Sequence, residues 1–202
     1  AMRGTGSHRV STRDTFVEEG LVFSGTSPNV IDRPMFRIGL ALAPMNLNDA
    51  IVVGTLDAAV TTASEIIGTR VSTISGAAAH SNAAVLELLS AARNAVWTLR
   101  AGGRLACQTA WEYAVDGTEI PTEVRAAMLS APFYAVSVAR QMISELYSRS
   151  SSAAFFEGHP LEKSLRDIHA ISYGFEPLRN LDHDSARVAA GVAPIDPSRW
   201  PL

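Results

Sequence analysis

At 202 residues, with 47% hydrophobic and 18% charged side chains, the chain has room for one ordinary domain with a sizeable core, which excludes disorder as its main state. Seventeen Lys and Arg against 20 Asp and Glu give a net charge of -3, so no broad positive surface exists for nucleic acid or an anionic membrane, and neither is expected as a partner. The single cysteine, Cys107, cannot close an internal disulfide or build a thiolate zinc site, which fits a reducing, cytoplasmic location.

The opening Ala1-Met2-Arg3 lacks the basic-then-apolar order of a signal peptide, and Met2 reads as a candidate native start. Residues 3–31 are rich in Gly, Ser and Thr, with short β-prone runs at 8–12 and 15–17, and read as one or two strands plus loops. Near Asp32-Arg33-Pro34 the apolar period changes to that of helices. The first helix is expected over 35–67, kinked or restarted at Pro44, with Gly54, Ala58 and Ala59 allowing close approach of a second helix. Asp57 interrupts its most apolar run, 51–60, and Asn46, Asn48 and Asp49 flank it, so no stretch is read as reaching the roughly 20 residues of a membrane span. A second helix, 81–114, carries Val85, Leu88, Ala92, Val96, Leu99, Gly103, Ala106 and Ala110 on one stripe. A third, 122–147, repeats the pattern around Met128, Ala135 and Leu146, bent by Pro132. A fourth, 160–173, starts at Pro160 and buries Leu161, Leu165, Ile168 and Ser172. These elements predict a mainly α protein, an up-and-down four-helix bundle preceded by a short β segment. The segments are 1–33, a bundle over 34–180, and a tail over 181–202 in which Asp182-His183-Asp184 lies on a loop before a helical turn at 185–190.

The residues alone say little about reaction. Gly4-Thr5-Gly6-Ser7 lacks the strand and helix of a dinucleotide fingerprint and reads as a plain turn. Asp182-His183-Asp184 offers ligand atoms that point in different directions, so no metal site is expected. His80 reads as a residue at a helix start, and Trp97 and Trp111 as core or interface aromatics. His169 shares a helical face with Arg166, and both a catalytic and a structural role fit that spacing.

A resemblance adds more. Met2-Arg3-Gly4-Thr5-Gly6-Ser7-His8, leading to Asp14-Thr15-Phe16-Val17, resembles the end of the middle β-domain of acyl-CoA dehydrogenases and related flavin monooxygenases. Ser151-Ser152-Ala153-Ala154-Phe155-Phe156, followed by Pro160-Leu161-Glu162-Lys163 and Leu165-Arg166-Asp167-Ile168-His169-Ala170, resembles the C-terminal helices of the same superfamily, closest to its "type 2" branch of flavin-dependent hydroxylases. The resemblance spans nearly the whole chain and about half of the family's length. It implies that 1–33 is a remnant of the β-domain and that FAD or FMN would lie between that domain and the bundle.

By the same resemblance Arg70 corresponds to an arginine on the flavin phosphate, and a guanidinium suits a pyrophosphate. Ser151 and Ser152 align with a Gly-Gly pair whose backbone approaches the cofactor. The usual catalytic glutamate falls at Phe175 and the hydroxylase histidine at Gly174, which leaves His169 and Glu176 as the catalytic candidates. The implied partners are a second copy of the chain, a complementing chain with the missing N-terminal half, and a flavin reductase. The alternative expectation is a non-catalytic oligomerisation or scaffold protein that keeps the bundle without the flavin chemistry.

Overall fold

A computed structural model describes residues 9–22, 31–39 and 42–193, in which the long apolar periods become helices packed side by side. The described helices are α1 (Pro34–Arg37), α2 (Leu42–Thr69), α3 (Ala83–Asp116), α4 (Thr122–Ser150), α5 (Pro160–Phe175) and α6 (Arg179–Ala189). Cross-contacts fix their directions. Arg37 reaches the Ala114 carbonyl at 2.8 Å, Cys107 reaches Asn46 at 3.2 Å and Arg100 reaches Asp57 at 2.7 Å, so α2 and α3 run antiparallel. Arg70, just past α2, meets Ser150 at the end of α4, so these two run in parallel. Phe175 at the end of α5 packs edge-on against Phe133 in mid-α4, with ring centroids 5.2 Å apart. α2 to α5 therefore form the expected up-and-down bundle.

The core lies where α4 meets α2, α3 and α5. Leu56, Ala59 and Ala63 of α2 and Leu129, Ala139, Ile143 and Leu146 of α4 are fully buried. Each such Leu or Ile is worth about 1.5–3 kcal/mol relative to exposure. The termini follow capping chemistry. Asn82 accepts the Ala84 N–H at 3.0 Å to start α3, and Gly117, at φ 69°, ends it in the left-handed conformation. His80 does not cap; it lies exposed in the preceding turn. Pro132 is accommodated inside α4 and its side chain is fully buried.

Several expectations are corrected. The first helix divides at Gly39, whose φ is 93°, into α1 and α2, and Pro44 falls in the first turn of α2, where no N–H is needed. Gly54 and Ala58 lie on an open face, and a Cβ on Gly54 would meet nothing within 4 Å. α2 proves long and apolar enough to cross a membrane by length and composition, yet its Val52, Leu56, Ala59 and Ala63 are core residues of the bundle. Asp182-His183-Asp184 is helical rather than looped, so the boundary expected at 180/181 falls inside α6, which packs on α4 through buried Leu181, Asp184 and Ser185. Among the described residues no strand forms, and the only pairing is a Val71–Ala78 bridge. Val10 and Phe16 are exposed, and among the described residues no strand lies beside them; residues 1–8 and 23–30 of the expected β segment, and 194–202 of the tail, lie outside the described residues.

α2 and α3 meet closely at Gly103, where an added Cβ would collide with Oδ2 of Asp49, whereas its neighbour Gly102 faces open space. Helix propensity favours Ala over Gly at both sites by roughly 1 kcal/mol. Gly102→Ala is expected to raise the thermal midpoint by a few degrees. Gly103→Ala is expected to lower it, because overpacking costs about 1–3 kcal/mol and exceeds the propensity gain. Thermal denaturation of the two variants checks the contrast.

Candidate functional site

Two places on the bundle concentrate polar groups, one at each end of α2. At its C-terminal end the chain leaves the helix with Arg70, whose N–H bonds Ile66 and whose carbonyl accepts the Ala79 N–H at 2.9 Å. The backbone held in this way directs the exposed guanidinium across to α4, where Nη1 donates to the Ser150 carbonyl at 2.6 Å. A guanidinium has five N–H donors. Arg70 makes no other side-chain bond among the described residues, so the rest of the fork is open to an anion.

Ser150, Ser151 and Ser152 form the junction that Arg70 holds. Ser151 is extended, and its hydroxyl accepts the Ala153 N–H at 3.1 Å. The first backbone bond of the following turn runs from the Ala154 N–H to the Ser151 carbonyl, so the N–H groups of Ser151 and Ser152 precede the bonded ones. The structure thus brings Arg70, Ser151 and Ser152 to one place, from segments 80 residues apart. Beside them Tyr147 and Phe155 pack with ring centroids 5.1 Å apart, and Phe156 is exposed.

His169 and Glu176 lie elsewhere, on α5 and just after it, and both are exposed. Arg166 pairs with Glu162 rather than with His169. Glu176 accepts two bonds from Arg179, at 2.6 and 3.1 Å, and this hydrogen bonding holds its carboxyl below the usual range. Phe175 is buried against Phe133 and so turned away from the face that Glu176 occupies.

The other place, missed in the sequence, is a cleft of about 330 Å³ between the first half of α2 and the second half of α3. Asp49 is 8% exposed and lies against Gly103. Among the described residues no donor pairs with its carboxyl, and burial pushes its pKa up. Asn46, one turn earlier, donates to the Leu42 carbonyl and accepts the Cys107 thiol. Burial and the Asp49 charge push that thiol up as well. Arg100 and Arg104 stand at the edge, Arg100 tied to Asp57. The signal lay in the spacing, since Met45, Asp49, Val52 and Leu56 share one helical face. Among the described residues no three His, Cys, Asp or Glu side chains converge as a metal site.

Residues 29–173 match the family model of the acyl-CoA dehydrogenase C-terminal domain, which covers most of the helical body described above. The chain belongs to this family. It is 25% identical over 171 residues to an indole-3-acetate monooxygenase of Pseudomonas putida, covering 84% of this chain and 43% of the relative. Its fold matches XiaF from a Streptomyces species, solved in complex with FADH2 and glycerol, with a TM-score of 0.79 at 24% identity, over 100% of this chain and 52% of that one. The chain spans about half the length of the relatives it matches.

Because burial raises the Asp49 pKa, the folded state holds this proton more tightly than the unfolded state, and stability is lost as pH rises above the ordinary Asp value of about 3.9. Asp49→Asn is therefore expected to raise the denaturation midpoint at pH 7, and the gain should shrink as pH falls towards 4. A pH series of urea melts checks it; a pH-independent effect would assign the change to packing.

Proposed function

We propose that this chain is the C-terminal part of a flavin-dependent oxidoreductase, of the branch that contains two-component hydroxylases, and that it contributes one wall of a site for FAD or FMN. The observation that carries the reading is the junction at Arg70 and Ser150, within a chain that matches the family over 29–173. The residues fit a phosphate or pyrophosphate. Arg70 has unengaged guanidinium donors, and the Ser151 and Ser152 N–H groups precede the bonded turn beside it. The family relationship and the two relatives, one a monooxygenase and one solved with FADH2, support this assignment.

A bound flavin supplies the redox chemistry, and the protein supplies binding, orientation and exclusion of water. In this half Arg70 would hold the phosphate, its orientation fixed by the Ser150 carbonyl, while Ser151 and Ser152 add backbone donors. His169 and Glu176 are the groups of α5 and its end that could hold or move a proton. Glu176 is already hydrogen-bonded to Arg179, which leaves His169 the less engaged of the two.

The site would be completed by other polypeptide. Trp97 is 72% exposed, and Phe156, Tyr173, Leu105 and Trp111 are also exposed, an amount of apolar surface that supports a second copy, a complementing N-terminal half, or both. A flavin reductase is the partner expected for hydroxylase chemistry, and a cytoplasmic location suits such a pair.

Titration of the chain with FAD and FMN, followed by flavin fluorescence, tests the reading. Saturable micromolar binding is expected, weakened about tenfold or more by Arg70→Ala because a charge-assisted bond is lost. Absence of saturable binding would contradict the reading, and unchanged affinity in the variant would remove Arg70 from it.

A further inference from the structure

The α2–α3 cleft lies at the other end of α2, about 30 Å along the helix from Arg70, and the flavin reading makes no use of it. Its most unusual feature is the Asp49 carboxyl, more than nine-tenths buried and unpaired among the described residues. Its oxygens keep contact with the cleft, so any donor must come from there, and a carboxyl drawn this far from bulk water without a fixed donor packs less favourably than an apolar side chain. Other bonds in the cleft are already closed. The Asn46 amide is engaged at both ends, by the Leu42 carbonyl and the Cys107 thiol, and Arg100 is engaged by Asp57. Two lining groups are therefore without a partner among the described residues: the Asp49 carboxyl, which lies against Gly103, and the guanidinium of Arg104, the next residue of α3.

Between them the walls are small and apolar, formed by Ala50, Val53, Gly54 and Gly103. The absence of a side chain at Gly103 leaves room for Asp49 itself, and the open face at Gly54 leaves room above it. Cys107 also borders a second depression lined by Met35, Ile38 and Trp111, so the apolar wall continues along α3. The volume of about 330 Å³ is at the lower end of small-molecule sites.

We infer that this cleft binds a small molecule with a compact apolar body, an N–H donor for the Asp49 carboxyl and an anionic group for the Arg104 guanidinium. The two anchors select in opposite senses. A ligand with only an acid leaves Asp49 unpaired, and a ligand with only an N–H leaves Arg104 to solvent. A site that hydrogen-bonds one end of its ligand rejects the analogue lacking that group more strongly than it rejects a change in apolar bulk.

Calorimetric titration of the full chain with 4-aminobenzoate, 4-methylbenzoate and 4-methylaniline tests this without reference to flavin. The first, which carries both groups at opposite ends of one ring, is expected to bind about tenfold tighter than either of the others. Asp49→Ala is expected to make 4-aminobenzoate and 4-methylbenzoate equal, and Arg104→Ala to make 4-aminobenzoate and 4-methylaniline equal, each variant retaining the wild-type circular dichroism spectrum. Equal affinity of the wild type for all three would overturn the inference. So would a preference that survives the variants, or no binding by the folded chain up to about 10 mM, a limit that would correspond to only a few kcal/mol. Flavin affinity is read separately, so failure here leaves the flavin reading standing, and the reverse also holds.

Discussion

The packing of α4 against α2 is the constraint on which the rest depends. Both helices bring small or branched residues to the contact, and residues such as Ala59, Ala63, Ala135 and Ala139 are fully buried. Because they run parallel, their C-terminal ends arrive together, and this alone places Arg70 beside Ser150. A mixed pair of long and short core side chains at close-packed density tolerates little sliding. A shift of one helix along the other would separate the guanidinium from the serine junction, so the geometry of the candidate cofactor site is a consequence of core packing.

The antiparallel α2–α3 contact has a different character. It is held by small residues and by polar links, with Asn46 on Cys107 and Asp57 on Arg100. Gly103 lets a carboxyl rather than a methyl group fill the space between the helices. The chain thus places a buried acid where an aliphatic residue would pack with less cost, which is the kind of local inconsistency that marks a functional position. The two ends of α2 differ accordingly, one presenting a cation and backbone donors, the other a neutral or anionic acceptor.

Strong periodicity made most of the fold legible. Of the stripe read on the second helix, Leu88, Ala92, Val96, Leu99, Gly103 and Ala110 are buried and Val85 and Ala106 are partly buried, and Pro160 begins α5 where its missing N–H does no harm. The turn expected at 185–190 is the second half of α6; its first half was hidden because two of its buried positions, Asp184 and Ser185, are polar, so Leu181 and Val188 stood alone as apolar markers. The β-prone runs near the start misled because strand propensity is realised only against a partner strand. At the other end of α2, Arg70, Ser151 and Ser152 were candidates through the family resemblance alone, while the bond from Arg70 to Ser150 that gathers them depends on helix direction and could not be read from spacing. Asp49 was passed over as a polar flank of an apolar run, although its register with Val52 and Leu56 puts it on the buried face.

The vacant catalytic positions also acquire a physical meaning. Phe175 serves the core by its edge-on contact with Phe133, so a carboxylate there would lose packing and be desolvated. Glu176, one residue on, is exposed and already committed to Arg179.

The central claim is that the Arg70–Ser150 junction forms part of a flavin site, and amide hydrogen exchange with and without FAD measures it directly. Slower exchange confined to the segment around Ser151 and Ser152 and the turn after α2 is the predicted result. Flavin binding that leaves this segment unchanged, or protects only the opposite end of the bundle, would contradict it.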